Sequence, residues 1–252
     1  MAQPQTVLDL LMRCEQASNL VDRRLLYQTL DQATTGGVLT LIIFSCLATE
    51  PGQEELKLDL FETLFFKGRP GTLSKKVREV VGLTLAIERL GLNVQVVPIL
   101  VDTEPRRTWG WNTPQEELTG LCQIMLDDAT AEERLPTNWR PTLWSTIERA
   151  HSAGEWTFEK SLAWAKGVGK HRLQVSEQVE CLSGFSDRFH FPLGLEATAE
   201  NQVGAYAHEG KVLEMALPDA ILLQSESPYE QKDRLYQWHR ENPLPIVHPF
   251  PR

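Results

Sequence analysis

Residues 94–101, Val-Gln-Val-Val-Pro-Ile-Leu-Val, form a β-branched apolar run of strand length. Apolar residues fall on both parities, so a strand built from them has to be covered on both faces, as in the middle of a parallel sheet. Polar residues follow at once: Asp102-Thr-Glu-Pro-Arg-Arg-Thr-Trp-Gly-Trp111 holds two carboxylates, two arginines and two tryptophans. In an open α/β sheet a polar cluster just beyond a strand's carboxyl end is where ligands bind.

Three further runs have the same character: Val38 to Cys46, Asp219 to Gln224 and Pro243 to His248. Helical patterns separate them. One or two amphipathic helices span Val7 to Leu30 with a break near Ser18-Asn19, and others cover Glu54 to Phe66 and Ser74 to Leu90. Gly91 is placed to terminate the last of these in a left-handed conformation. Thr113-Pro-Gln-Glu116 and Ser227-Pro-Tyr-Glu230 read as capping boxes opening helices to about Asp128 and Arg240. Helices are also expected from Pro141 to Ala153, Thr157 to Lys166 and Leu195 to Met215, with Trp144, Trp156, Phe158 and Trp164 as core residues. Strands alternating with helices imply an α/β chain of Rossmann-like, three-layer architecture around a mostly parallel sheet. We expect one domain over residues 1–252, with a helical insertion over about 129–195.

The composition, 42% hydrophobic and 23% charged, is that of a globular protein. No apolar run reaches the roughly 20 residues that span a bilayer, and the N-terminus lacks a signal-peptide pattern, so we expect a cytoplasmic protein without membrane contact. Cys14, Cys46, Cys122 and Cys181 form no Cys-x-x-Cys pair and share no zinc-site spacing with the histidines, so neither a metal nor a cofactor is expected. The net charge of −9 excludes a general nucleic-acid coat. Its bases are nevertheless clumped: Lys67, Arg69, Lys75, Lys76 and Arg78 in one cluster, Lys166, Lys170, His171 and Arg172 in another. These are either solvated helix ends or local phosphate-binding patches. Gly167-Val-Gly-Lys-His171 is not a phosphate loop, because Trp164 stands where its first glycine belongs and a helix precedes it.

If the sheet is parallel, the polar strand ends share one edge. They comprise Ser45 and Cys46; Asp102, Glu104, Arg106 and Arg107; Ser225, Glu226 and Ser227; and His248. Ser45 is either a nucleophile, with Glu226 or His248 as base, or a small residue tolerated where strand meets turn. Arg106 and Arg107 either clamp an anion or pair with Asp102 or Glu104 to fix the turn. Trp109 and Trp111 offer stacking surfaces. Tyr229 and Tyr236 are pocket walls or core, and Ser183 to Gly194 reads as a lid or pocket wall.

A serine ending the first strand, a helical side region and the late stretch Tyr236-Gln-Trp-His-Arg-Glu241-Asn-Pro243 together resemble the tRNA-dependent cyclodipeptide synthases, with their class-I-synthetase-like fold. The resemblance is one of arrangement over most of the chain. It implies a serine acyl-enzyme on Ser45, fed by aminoacyl-tRNA. Tyr236 and Glu241 would place or deprotonate the substrate amine, and the two basic clusters would meet tRNA phosphates. The chain departs from the family in having Ile43 where the family has glycine, in a Tyr236-to-Glu241 spacing one residue longer, and in lacking the family's late Tyr-His pair unless Tyr206 and His208 serve instead. Without tRNA, the same crevice would serve a Rossmann-like small-molecule transferase or a non-catalytic ligand-binding module.

Overall fold

The computed structural model describes residues 4–12, 23–35, 37–46, 75–103, 114–131, 135–151, 157–167, 199–225 and 245–250. Its centre is a parallel pair. β1 (Val38–Cys46) and β2 (Asn93–Val101) run in unbroken register from Val38 opposite Asn93 to Cys46 opposite Val101. β3 (Thr142–Leu143) pairs with β2, and β4 (Ala220–Ser225) with the other side of β1. β5 (Ile246–Phe250) pairs with β4. The sheet order is therefore β3-β2-β1-β4-β5, and every named pair is parallel. The expected α/β, Rossmann-like architecture is present. In this order the chain first builds outward on one side of β1 and then returns to the other, so the topological switch point lies between the carboxyl ends of β1 and β4.

Strand alternation divides the core into two layers. Leu39, Leu41 and Ile43 of β1, Val94, Val96 and Leu100 of β2, and Ile221 and Leu223 of β4 face one side. There they meet Val7 and Leu11 of α1 (Pro4–Leu11) and Leu26 and Leu30 of α2 (Arg23–Thr34). Val80 and Ile87 of α3 (Lys75–Glu88) and Cys122 and Leu126 of α4 (Gln115–Ala131) complete that layer. Ile42, Val97, Ile99, Val101 and Leu222 face the opposite side, against Trp144 and Ile147 of α5 (Trp144–His151) and Val212 and Leu213 of α7 (Ala199–Ala216). Because β1, β2 and β4 are buried on both faces, their sequences have to be apolar on both parities. A further helix, α6 (Phe158–Gly167), packs on α7.

Helix ends follow local chemistry. α3 stops where Gly91 adopts φ 89°, with Gly91 N–H donating to Glu88 O at 2.8 Å. That conformation is open to glycine at little cost and is strained for other residues. α4 carries Glu116 and Glu117 in its first turn, where the helix dipole favours them. The helices expected over Glu54 to Phe66 and up to Arg240, the break at Ser18-Asn19, the loop from Ser183 to Gly194 and the capping residues Thr113 and Ser227 lie outside the described residues. No helix among the described residues is long and apolar enough to cross a membrane.

One expectation is corrected. The stretch from Pro141, read as helix from its start, opens instead with β3, and α5 begins only at Trp144. The sheet thus takes an edge strand from within the stretch read as a helical insertion. Two residues are too few to display a period of two. The strand exists because its neighbours pair with β2: Arg140 N–H donates to Val96 O at 2.8 Å, and Val96 N–H donates to Asn138 O at 3.0 Å. Asn138 Nδ2 reaches Glu88 Oε1 at 3.0 Å and Val94 O at 3.2 Å, tying this entry segment to the end of α3.

Candidate functional site

The strand ends share one edge of the sheet. Ser45 stands opposite Leu100, two residues before Asp102 on β2. Ile43 stands opposite Leu223, so Ser45 and Ser225 each lie two residues further along adjacent parallel strands. His248 follows Val247, the β5 partner of Leu223. For Ser45, Cys46, Ser225 and His248 the backbone alone is described. Glu104, Arg106, Arg107, Trp109, Trp111, Glu226, Ser227, Tyr229, Tyr236 and Glu241 lie outside the described residues.

Of the basic clusters, Lys75, Lys76 and Arg78 fall in the first turn of α3, Arg78 being exposed. Since α3 leads through Gly91 into the amino end of β2, this first turn lies toward the carboxyl edge of the sheet. Lys166 falls near the end of α6, while Lys67, Arg69, Lys170 and Arg172 lie outside the described residues.

Asp102 organises this edge. It is 0% exposed, and its carboxylate accepts three hydrogen bonds. Oδ1 takes the backbone N–H of Ser145 at 2.9 Å; Oδ2 takes the Ser145 hydroxyl at 2.5 Å and the Thr119 hydroxyl at 2.6 Å. Gln115 Nε2 donates to the Asp102 carbonyl and to Thr119 Oγ1, both at 3.2 Å. Ser145 is the second residue of α5, so Asp102 acts as an N-cap delivered from another strand. A carboxylate at a helix N-terminus is stabilised by the dipole as well as by the donors. Asp102, expected to bind substrate, thus has its carboxylate engaged with the protein, joining β2, α4 and α5. Ser145, Thr119 and Gln115 were not singled out in the sequence, where nothing local links them to Asp102.

One turn beyond Thr119, the Cys122 thiol is pushed up to about 12, first by burial and then by the negative Asp102. A thiol so held stays protonated and unreactive at neutral pH.

A second polar cluster lies among α5, α6 and α7. His208 of α7 is 1% exposed, and its Nε2 stands 2.8 Å from Glu148 Oε1 of α5. Its Nδ1 lies 3.4 Å from Ser161 Oγ of α6, and the Phe158 ring meets it edge-on with centroids 5.4 Å apart. Serine, histidine and glutamate in line have the membership of a nucleophilic relay. Ser161, however, is 0% exposed, and its hydroxyl also donates to Thr157 O at 3.2 Å. The cluster locks three helices together. The close approach of α6 and α7 depends on Gly204, where a Cβ would lie 2.9 Å from Leu162 Cα.

No protein-family model matches the chain, and no curated protein matches it. Among solved structures it is similar to the tyrosyl-tRNA synthetase of Archaeoglobus fulgidus complexed with L-tyrosine (10% identity, 98% of this chain and 63% of that one, TM-score 0.48). It is also similar to the Leishmania major tyrosyl-tRNA synthetase in complex with tyrosinol (12% identity, 88% and 35%, TM-score 0.45). A third is the tryptophanyl-tRNA synthetase of Trypanosoma brucei (12% identity, 88% and 57%, TM-score 0.45). The chain therefore spans less than two thirds of the length of each of these proteins.

Proposed function

We propose that this chain is a transferase that binds an aminoacyl or nucleotide-like substrate at the crevice between the carboxyl ends of β1 and β4. The observation that carries the reading is the sheet order β3-β2-β1-β4-β5, with Ser45 and Ser225 ending the two strands that flank the switch point. Ligands of open α/β sheets bind there because adjacent loops diverge and leave a cleft.

In the proposed reaction the Ser45 hydroxyl attacks the carbonyl carbon of an aminoacyl ester. The ester bond to the tRNA ribose breaks, an ester to Ser45 forms, and the ribose hydroxyl leaves with the serine's proton. Glu226 or Glu241 serves as acid and base, and Tyr236 and Glu241 place the amine of a second aminoacyl group. Arg106 and Arg107 clamp anionic groups, with Trp109, Trp111 and Tyr229 as stacking walls. Lys75, Lys76 and Arg78, at a helix start with no acid in its first turn, suit a phosphate backbone. Asp102 is a positioning residue in this scheme, holding the β2 turn and the start of α5.

The experiment is intact-mass analysis of the chain incubated with a mixed pool of charged tRNA. An aminoacyl adduct on wild type and none on Ser45→Ala is the expected result. An equal adduct on both removes Ser45 as nucleophile. No adduct on wild type, with no RNA co-purifying at low salt, turns the assignment toward a ligand-binding module.

A further inference from the structure

Thr103 follows Asp102 at the carboxyl end of β2, and it is 6% exposed. Its Oγ1 is buried and has no hydrogen-bond partner among the described residues. Buried hydroxyls are ordinarily paired, because one taken out of water without a partner loses the bond that water gave it. The neighbouring Asp102 is held by Ser145, Thr119 and Gln115, which fixes the chain just before Thr103. The indole nitrogen of Trp139 is likewise buried and unpartnered among the described residues, but it sits beside Val96, well before the strand end. Thr103 lies three residues beyond Leu100, the β2 residue opposite Ser45, at the carboxyl edge of the sheet.

We infer that Thr103 is a ligand-contacting residue of the strand-end crevice, its hydroxyl hydrogen-bonded to a polar group of a bound aminoacyl ester. A hydroxyl can donate or accept, so it suits either the ester carbonyl or the amine of such a substrate. A site that holds a substrate through a buried polar group discriminates strongly against losing that bond. This inference rests on the crevice reading above.

The test compares Thr103→Val, which keeps the shape and removes the hydroxyl, with Thr103→Ser, which keeps the hydroxyl. Without ligand, the valine variant is expected to melt at or above the wild-type temperature, since the threonine hydroxyl has no partner among the described residues. A valine variant that melts several degrees lower, with serine restoring the loss, shows a bond inside the protein and overturns the inference. With charged tRNA as probe, adduct formation is expected to fall roughly tenfold to a hundredfold in the valine variant and to be retained in the serine variant. Undiminished labelling of the valine variant overturns the inference.

If wild type forms no adduct, the acyl-transfer reading fails by itself. Thr103 is then judged by thermal shift with adenosine, AMP and free amino acids. A shift in wild type and Thr103→Ser that is lost in Thr103→Val supports it, whereas equal shifts, or none in wild type, overturn it. Should the valine variant not fold, Thr103→Ala against Thr103→Ser carries the same comparison.

Discussion

The carboxylate of Asp102 takes both the backbone N–H and the hydroxyl of Ser145, at 2.9 and 2.5 Å. One side chain thereby caps α5 and pins the turn that ends β2. The same group receives Thr119 from α4, so three elements meet on a buried carboxylate at the carboxyl edge of the sheet.

Removing this group leaves several donors buried without an acceptor. Asp102→Ala is expected to lower unfolding free energy by about 2–4 kcal/mol, read as a shift of the urea midpoint. Ser145→Ala keeps the backbone donor and Thr119 in place, and is expected to cost about 1–2 kcal/mol. Equal losses for the two variants would contradict the shared-acceptor geometry. Asp102→Asn removes the negative charge near Cys122, so the thiol pKa should fall from about 12 yet stay raised, burial being the larger cause. Thiolate absorbance titrated against a Cys122→Ser control measures it.

Gly204 permits the crossing of α6 and α7. A methyl group there meets Leu162 backbone, with Cα at 2.9 Å and N at 3.2 Å, so the helices have to separate. Gly204→Ala is expected to destabilise by about 1–3 kcal/mol despite alanine's better helix propensity. A melting temperature equal to or above wild type would show that the helices do not approach so closely.

The His208 cluster joins α5, α6 and α7, and if it serves packing its members should rank accordingly. His208→Ala removes a buried ring and its 2.8 Å bond to Glu148, an expected loss of about 2–4 kcal/mol. Ser161→Ala removes only a long contact to His208 and a bond back to Thr157, an expected loss of about 1 kcal/mol. In the adduct assay Ser161→Ala should label like wild type. Loss of labelling with unchanged melting would make Ser161 functional after all.

Glu159 supplies a pH signature. Its carboxyl is held below the ordinary glutamate value, first by its own backbone N–H and then by the Thr157 hydroxyl. A group with a folded pKa below its unfolded one stabilises above the unfolded value, and the contribution disappears as pH falls through the folded value. Glu159→Gln should therefore lose a little stability at neutral pH, match wild type once pH is below the folded value, and so flatten the acid limb slightly. Thr157→Ala should move the Glu159 titration, followed by NMR, back upward.

How much of this was legible beforehand depends on the range of the interactions. β1 runs from Val38 to Cys46 as its apolar run demands, β2 begins one residue before Val94, and Gly91 ends α3 as expected, because each signal is local. Two-sided burial also implied a parallel sheet, and that implied an edge where Ser45, Asp102, Ser225 and His248 gather. β3 escaped notice because two residues carry no period and their pairing with β2 comes from distant parts of the chain.

The chain on its own thus determined β1, β2 and β4 and the stop of α3 at Gly91, since steric and hydrophobic preferences act over a few residues. Only the tertiary structure decided what Asp102 holds. Among the described residues its partners are Thr119, 17 residues on, and Ser145, 43 residues on, while Arg106 and Arg107 lie outside them. A buried carboxylate accepts whichever donors the packed layers bring within reach, and sequence separation has no bearing on that distance.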